Sequence, residues 1–293
     1  MRDSHRTHVL ACINQKGGCG KTTTAVNLAG ALAARGERVL LVDLDPQAHA
    51  TLAMGCAIED EPSMIDVLCG RATMMEALRH APGAVWLAPA TARLSEYEDI
   101  AARMVRPEQT LRESLAGLDS SFDFAILDCP PRADGVLAAN ALRAAQTALL
   151  IVESGVFALQ GALKALEVLE KLSATLERPF LVRAVGTMFD NRTRIARDLL
   201  AAMQAQLGPL LFDTAIRDSV RLREAAAAGV PVNLLDPRSR AAGDFRELAE
   251  EVCAHADHAE VGQRPPAPLL RSQPSTRPLV ATPSRDPAVG LHL

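Results

Sequence analysis

Apolar residues along this chain form short continuous runs separated by longer stretches with helical spacing. Strands are predicted at residues 7–13, 39–42, 84–87, 124–127, 148–152 and 180–187. The run Val39-Leu40-Leu41-Val42 is uninterrupted rather than alternating, which is typical of a strand buried on both faces of a parallel sheet.

The segments between the strands carry apolar residues three and four positions apart. One such stripe begins at Thr22 and continues to Leu32, with Gly36 as a stop signal. Further helices are predicted at residues 135–145, 158–176, 192–206, 219–228 and 239–257. Strands that alternate with helices predict an α/β fold, a doubly wound, mostly parallel sheet with helices on both faces. Such a sheet binds its ligand at the C-terminal ends of the strands.

A glycine-rich loop connects the first predicted strand to the first predicted helix. Its sequence is Lys16-Gly17-Gly18-Cys19-Gly20-Lys21-Thr22-Thr23. The backbone N–H groups of such a loop bind phosphate, and glycine is needed because a Cβ would keep the backbone away. Lys21 is predicted to reach the β- and γ-phosphates, and the Thr22 hydroxyl to bind Mg²⁺. The common phosphate-loop pattern has glycine where this chain has Gln15, and here the loop carries an extra lysine, Lys16.

Acidic residues follow two other predicted strands. Asp43 and Asp45 lie two positions apart at an extended strand end, so their side chains are expected to point the same way. Asp43 is a candidate for holding Mg²⁺ through water, and Asp45 for orienting the attacking water. Asp128 ends the run Ile126-Leu127, an arrangement in which the carboxylate reaches Mg²⁺ through its water shell. Cys129 is expected to be a small buried neighbour.

These motifs, in this order, resemble the ParA/MinD family of ATPases over about residues 7–257. The loop is similar to that family's deviant phosphate loop, and V-D-L-D-P-Q and D-C-P-P follow it as in ParA. The resemblance implies ATP and Mg²⁺ as cofactors, slow partner-stimulated hydrolysis, and a homodimer that sandwiches two ATP molecules. It also implies that Lys16 crosses the dimer interface to the partner's ATP, and it links Asp45 to hydrolysis.

The resemblance extends the ATP site beyond the loop. Residues 186–193, G-T-M-F-D-N-R-T, are similar to a family segment near the adenine. The residues implied to bind ATP are therefore Lys16, Gly17, Gly18, Cys19, Gly20, Lys21, Thr22, Thr23, Met188 and Asp190. Lys16, Lys21 and Asp45 are the implied catalytic residues, and Thr22, Asp43 and Asp128 the predicted metal site.

Arginines in the C-terminal half are implied to bind DNA. Arg192 and Arg221 fall on family positions of that kind, and Arg217 and Arg223 lie beside them. The family often has I-P-R-N before V-R-L-x-E-A, whereas this chain has Ile216-Arg217-Asp218-Ser219. Arg217 keeps a positive charge nearby and Asp218 removes one. Arginine suits phosphate because its planar fork binds two oxygens.

The resemblance implies an ATP-dependent switch that holds non-specific double-stranded DNA and positions a cargo with a ParB-type adaptor. The cargo classes are a plasmid, a chromosome and a large protein complex. The expected location is cytoplasmic and nucleoid-associated, without a membrane partner. The net charge of −4 gives no global signal for nucleic acid, so DNA contact requires a local patch. An aromatic content of 3% argues against base stacking on single strands.

Composition divides the chain into three parts. Residues 1–6 are expected to be a flexible N-terminus, residues 7–258 a ParA-like ATPase domain, and residues 259–293 a Pro-rich disordered tail. There is no apolar segment of signal-peptide type before the first strand and no run of transmembrane length.

Four other functions compete with the partition switch. A MinD-like ATPase docked on a membrane or a protein would not need DNA, but the Pro-rich tail offers no amphipathic helix for a bilayer. An electron-transfer or metal-carrier ATPase needs paired cysteines, and the six cysteines form no C-x-x-C pair. A related amide-forming synthetase would need a substrate pocket that the sequence does not identify. A structural scaffold would leave three nucleotide motifs without purpose.

Overall fold

The structure is a computed structural model that describes residues 6–56, 61–118, 120–131, 134–155, 157–190 and 192–260. The predicted Pro-rich tail lies outside the described residues from position 261 onward, and so do positions 1–5 of the predicted N-terminal segment. No helix among the described residues is long and apolar enough to cross a bilayer.

The core is one sheet whose strands are ordered β3-β4-β2-β5-β1-β6-β7-β8. The strands are β1 (His8–Ile13), β2 (Val39–Asp43), β3 (Arg79–Ala81), β4 (Val85–Ala88), β5 (Phe124–Asp128), β6 (Thr147–Glu153), β7 (Leu181–Phe189) and β8 (Leu211–Arg217). Every pairing between these strands is parallel except β3 with β4. The predicted mostly parallel sheet is therefore confirmed.

Helices cover both faces of this sheet, as predicted. They are α1 (Lys21–Ala34), α2 (His49–Ala53), α3 (Met64–Leu68), α4 (Met74–Ala77), α5 (Tyr97–Ala101), α6 (Thr110–Ala116), α7 (Val136–Ala144), α8 (Ala158–Thr175), α9 (Arg194–Leu207), α10 (Val220–Ala227), α11 (Val232–Leu235) and α12 (Arg240–Glu260). Along β1, Leu10 and Cys12 pack on the face of α1 and α12, whereas Val9 and Ala11 pack with α3 to α7. Both sets are buried, which explains the uninterrupted apolar runs.

The edge strand β8 was not predicted from the sequence. Its burial alternates in part, with Asp213 exposed between the buried residues Phe212 and Thr214. An edge strand is covered less completely than a central one, so its apolar run is broken and less conspicuous.

Helix α12 runs from the carboxyl edge of the sheet to its amino edge. Near its start, Asp244 accepts hydrogen bonds from the backbone N–H and the Nε of Arg217 at the end of β8, both at 3.0 Å. Near its end, Nε2 of His255 lies 3.1 Å from Oγ1 of Thr147, the first residue of β6. The helix therefore spans the full height of the sheet.

Helix α1 packs closely against the start of α11, where the Pro231 side chain lies over Gly30. A Cβ on Gly30 would lie 2.5 Å from Cβ of Pro231, so only glycine allows this packing. Oδ1 of Asn27 accepts a hydrogen bond from the Val232 N–H at 2.7 Å. Because α1 follows the glycine-rich loop directly, this contact fixes the helix whose N-terminus faces the candidate site.

Candidate active site

The glycine-rich loop runs from Asn14 to Gly20 between β1 and α1. Gly18 and Gly20 have φ values of 74° and 95°, which side chains other than glycine rarely adopt. A Cβ on Gly17 or Gly18 would meet no atom within 4 Å, so the space beside both residues is open. Asn14 anchors the loop, because its Nδ2 donates to the Ile151 carbonyl at 2.5 Å. The loop's backbone conformation is therefore compatible with the predicted phosphate site, which stays a prediction.

Lys21 is buried inside this loop. Its Nζ donates to the Lys16 carbonyl at 3.0 Å, which places the ammonium group within the loop's curve. Thr22 and Thr23 follow it in the first turn of α1, where the helix dipole adds partial positive charge. Cys19 is also buried, and its carbonyl accepts the Thr187 hydroxyl at 2.8 Å. Burial raises the pKa of the Cys19 thiol.

Asp128 is the least satisfied polar group of the site. It is fully buried, and neither of its carboxylate oxygens has a hydrogen-bond partner among the described residues. Burial, and then the neighbouring Asp43, raise the pKa of Asp128 well above its usual range, and the nearby Thr22 hydroxyl opposes them without forming a hydrogen bond of ordinary geometry. A buried carboxylate without partners is costly unless a cation compensates it. Asp128 therefore fits the predicted magnesium site, and Mg²⁺ prefers such oxygen ligands.

Asp43 lies opposite Asp128 in the pairing of β2 with β5, as the predicted site requires. Its Oδ2 accepts hydrogen bonds from the backbone N–H and the hydroxyl of Thr51, both at 2.8 Å. Its Oδ1 accepts the Asp45 N–H at 3.1 Å. Burial raises the pKa of Asp43 to about 6, against the opposing effect of the Thr51 bonds. Thr51 was not predicted from the sequence. It lies six positions after Asp45 and belongs to no recognisable motif.

Asp45 is buried close to Asp43. Its Oδ1 accepts the Gln47 N–H at 2.9 Å, which closes a local turn at Pro46. Cys129 follows Asp128 and is fully buried, and burial raises the pKa of its thiol. A thiol of this kind is unreactive, as expected for a residue with a packing role.

Lys16 points the other way from Lys21. Its side chain is 63% exposed and forms an ion pair with Glu153 at the end of β6. No sequence pattern pointed to Glu153, because it lies 137 positions from Lys16 and the pairing of β1 with β6 brings the two residues together.

The predicted adenine-side segment closes over the loop. Met188 has a φ of 60°, rare for methionine, and its carbonyl accepts the Ser154 hydroxyl at 2.5 Å. A Cβ on Gly20 would lie 3.6 Å from Cε of Met188, so this side chain borders the loop. Asp190 instead binds Arg192 through both carboxylate oxygens, at 2.8 and 2.9 Å. These bonds lower the pKa of Asp190.

All four arginines implied to bind DNA are paired with carboxylates of the same chain. The pairs are Arg192 with Asp190, Arg217 with Asp244, Arg221 with Glu224 and Asp236, and Arg223 with Asp218. Arg197, Arg238 and Arg240 make no ion pair with another residue in the described part of the chain. Positive charge is therefore present along this region, and much of it is locally balanced.

Comparison with known proteins decides the family. A family profile described as an AAA domain matches residues 7–182. The chromosome-partitioning ATPase Soj of Thermus thermophilus is 39% identical over 251 residues, which cover 85% of this chain and 97% of Soj. The chain belongs to the ParA/MinD family of ATPases.

Solved structures of the family's fold carry the expected ligands. Cobyrinic acid a,c-diamide synthase of Mycobacterium smegmatis with bound ADP and magnesium is 31% identical, with a TM-score of 0.74 over 88% of this chain and 97% of that one. The septum site-determining protein MinD of Pyrococcus horikoshii in complex with Mg-ADP is 26% identical, with a TM-score of 0.71 over 86% and 98%. This family member is thus a ParA-like positioning ATPase, and both of these solved relatives hold ADP and magnesium.

Proposed function

We propose that this ATPase is a switch in which ATP closes two chains into a homodimer that sandwiches two ATP molecules. The dimer binds double-stranded DNA without sequence preference and is therefore nucleoid-associated. A ParB-type adaptor stimulates ATP hydrolysis, which releases the dimer from DNA. Repeated binding and release position a cargo. One observation carries the proposal: two lysines of a single loop face opposite ways. Lys21 is buried against its own loop, whereas the Lys16 side chain is 63% exposed and available to another chain.

Each residue of the site has a role in this proposal. The loop N–H groups of residues 16–20, with Lys21, hold the phosphates, and Met188 and Asp190 border the base. Thr22 and Asp128 would hold Mg²⁺. A bound Mg²⁺ ion would neutralise part of the negative charge of the phosphates. Asp45 orients the attacking water. Lys16 of the partner subunit stabilises charge that develops between the β- and γ-phosphates.

Asp43 supports the metal site indirectly. Its oxygens already accept hydrogen bonds from Thr51, in α2, and from the Asp45 N–H. We therefore propose that Asp43 contacts Mg²⁺ through a water molecule. Such an arrangement makes the position of α2 sensitive to what binds beside Asp128.

DNA binding is proposed for the arginine-rich region at the carboxyl edge of the sheet. Four residues carry this proposal, and they lie in or next to β7, β8 and α10: Arg192, Arg217, Arg221 and Arg223. Contacts from arginine to phosphate would hold a duplex without reading its sequence. The closing of two chains would join two such regions into a continuous strip.

Fluorescence anisotropy of a random-sequence duplex, with ATP or ADP across a salt series, tests this proposal. We expect salt-sensitive binding with ATP alone. Arg221→Ala and Arg223→Ala should each weaken binding and lower the salt slope by about one. Arg178→Ala is the matched control, since Arg178 lines a cavity of 290 Å³ with Arg6 and Gln146 at the amino edge.

A second candidate is a MinD-like ATPase that docks on a membrane or a protein without binding DNA. The local pairing of all four arginines with carboxylates favours it, because paired cations attract phosphate less strongly. Absence of duplex binding in both nucleotide states would select this candidate. ATP turnover that requires a small acid substrate would instead indicate an amide-forming enzyme.

A further inference from the structure

The ion pair between Lys16 and Glu153 links the phosphate loop to the neighbouring strand β6. Lys16 belongs to the loop that follows β1, and Glu153 is the last residue of β6. The Lys16 side chain is 63% exposed, whereas that of Glu153 is only 18% exposed. The carboxylate is therefore the fixed partner, and the ammonium group is the one that can move.

Glu153 is held in place from several sides. It is paired with Thr187 in the register of β6 and β7, and the Thr187 hydroxyl binds the Cys19 carbonyl of the loop. A Cβ on Gly155 would lie 2.9 Å from Oε1 of Glu153, so glycine leaves room for the carboxylate. The Lys16 backbone is also anchored, because its N–H donates to Oδ1 of Asn14 at 2.9 Å. Only the Lys16 side chain is free to change partner.

A lysine ammonium is a compact charge, and it cannot contact two distant anions at full strength. Lys16 must leave Glu153 if it is to reach the phosphates of another chain's nucleotide. We propose that Glu153 is a positioning residue that holds Lys16 within its own chain and so opposes formation of the ATP-bound dimer. This inference rests on the proposed role of Lys16 in the partner's site. Because the Lys16 side chain is largely exposed to solvent, the effect of the pair on dimerisation is modest, about two- to fivefold.

The test compares E153Q with E167Q by measuring ATP turnover per chain against protein concentration. Glu167 pairs with Lys171 on the exposed surface of α8, so E167Q removes one charge and one ion pair elsewhere. E153Q should lower the protein concentration at half-maximal turnover by about two- to fivefold, while E167Q leaves it unchanged. E153D keeps the charge and should stay near the wild type, which separates the charge from packing. Binding of fluorescent ADP to each monomer checks that the site is folded.

A double variant identifies the cause. If Glu153 acts through Lys16, E153Q should produce no shift in a K16Q background, as measured by sedimentation with ATP. The proposal is overturned if E153Q raises the protein concentration at half-maximal turnover or leaves it unchanged. It is also overturned if E153Q shifts dimer formation, measured by sedimentation with ATP, equally in the wild-type and K16Q backgrounds. The proposed function itself would fail on a different result. In that case K16Q would hydrolyse ATP as fast as the wild type, and neither protein would form a dimer in ATP.

Discussion

Asp128 is a single residue that serves the site at the expense of the fold. Its carboxylate is buried without a hydrogen-bond partner in the described part of the chain. Its pKa in the folded state is raised above the value in the unfolded chain, so the folded protein retains a proton that the unfolded chain releases. Stability is therefore lost as pH rises above the unfolded pKa, when no metal is bound.

Asp128→Asn should consequently stabilise the metal-free protein while abolishing Mg²⁺-dependent ATP hydrolysis. The expected gain is about 1–3 kcal/mol in the free energy of unfolding at pH 7, and it should shrink as pH falls towards 4. Urea unfolding in EDTA measures the gain, and phosphate release measures turnover.

Asp123→Asn is the control for that experiment. Asp123 binds Arg38 through both carboxylate oxygens, at 2.7 and 3.1 Å, at the opposite edge of the sheet. Its replacement should lower stability and leave turnover intact. A loss of stability in Asp128→Asn as well would contradict the view that this carboxylate is maintained for the metal.

Among the elements, β1, β6 and α12 meet at a buried polar contact. The Thr147 hydroxyl lies 3.0 Å from Nε2 of His8 and 3.1 Å from Nε2 of His255. Burial lowers the pKa of His8 to about 4. Between pH 6.5 and 4 the unfolded chain therefore binds a proton that folded His8 does not, and stability falls as pH decreases.

His8→Asn should remove this pH dependence. The free energy of unfolding of the wild type should drop by about 2 kcal/mol more than that of the variant between pH 7.5 and pH 5. Urea titrations at both pH values measure the difference. His49→Asn, at an exposed position, should behave as the wild type, and an equal drop in all three proteins would exclude His8 as the source.

The contact between α1 and α11 allows a second test at this scale. Gly30→Ala places a Cβ 2.5 Å from Cβ of Pro231 and should cost about 1–3 kcal/mol in the free energy of unfolding. Gly161→Ala in α8 meets no atom within 4 Å and should instead gain about 0.5–1 kcal/mol. Thermal unfolding of both variants checks the opposite signs, and a neutral Gly30→Ala would mean that α11 moves away easily.

The elements that the sequence predicted are those whose own residues carry the pattern. Strands such as β2 and β5 are buried on both faces and read as continuous apolar runs, and the glycine loop is a local motif. Strand β8 alternates at the sheet edge, and Glu153 and Thr51 act through partners that only the folded chain brings near. Pairing over long sequence separations leaves no periodicity to detect.

For the whole molecule, the balance of charge sets how strongly it can bind an anionic polymer. The chain has a net charge of −4, and the carboxylates beside its arginines lower the local potential further. Asp218 pairs with Arg223 at 3.2 Å, so it offsets the charge of one arginine that is proposed to bind DNA.

Asp218→Asn should therefore strengthen duplex binding in ATP about two- to fivefold, because it frees Arg223 and removes a charge that repels phosphate. Anisotropy at two salt concentrations measures this, and the gain should be larger at low salt. Asp99→Asn, on the exposed surface of α5, changes net charge equally and should have a smaller effect. Equal gains in both variants would assign the effect to net charge alone.

The course of α12 has a practical consequence for labelling. This helix starts beside Arg217, near the carboxyl edge that carries the proposed nucleotide site, and ends beside Thr147 at the amino edge. Its 21 residues correspond to about 30 Å of helix. A fluorescent reporter attached just beyond Glu260 would accordingly begin on the far side of the sheet, where it can follow the protein in a cell without obstructing the mouth of the site.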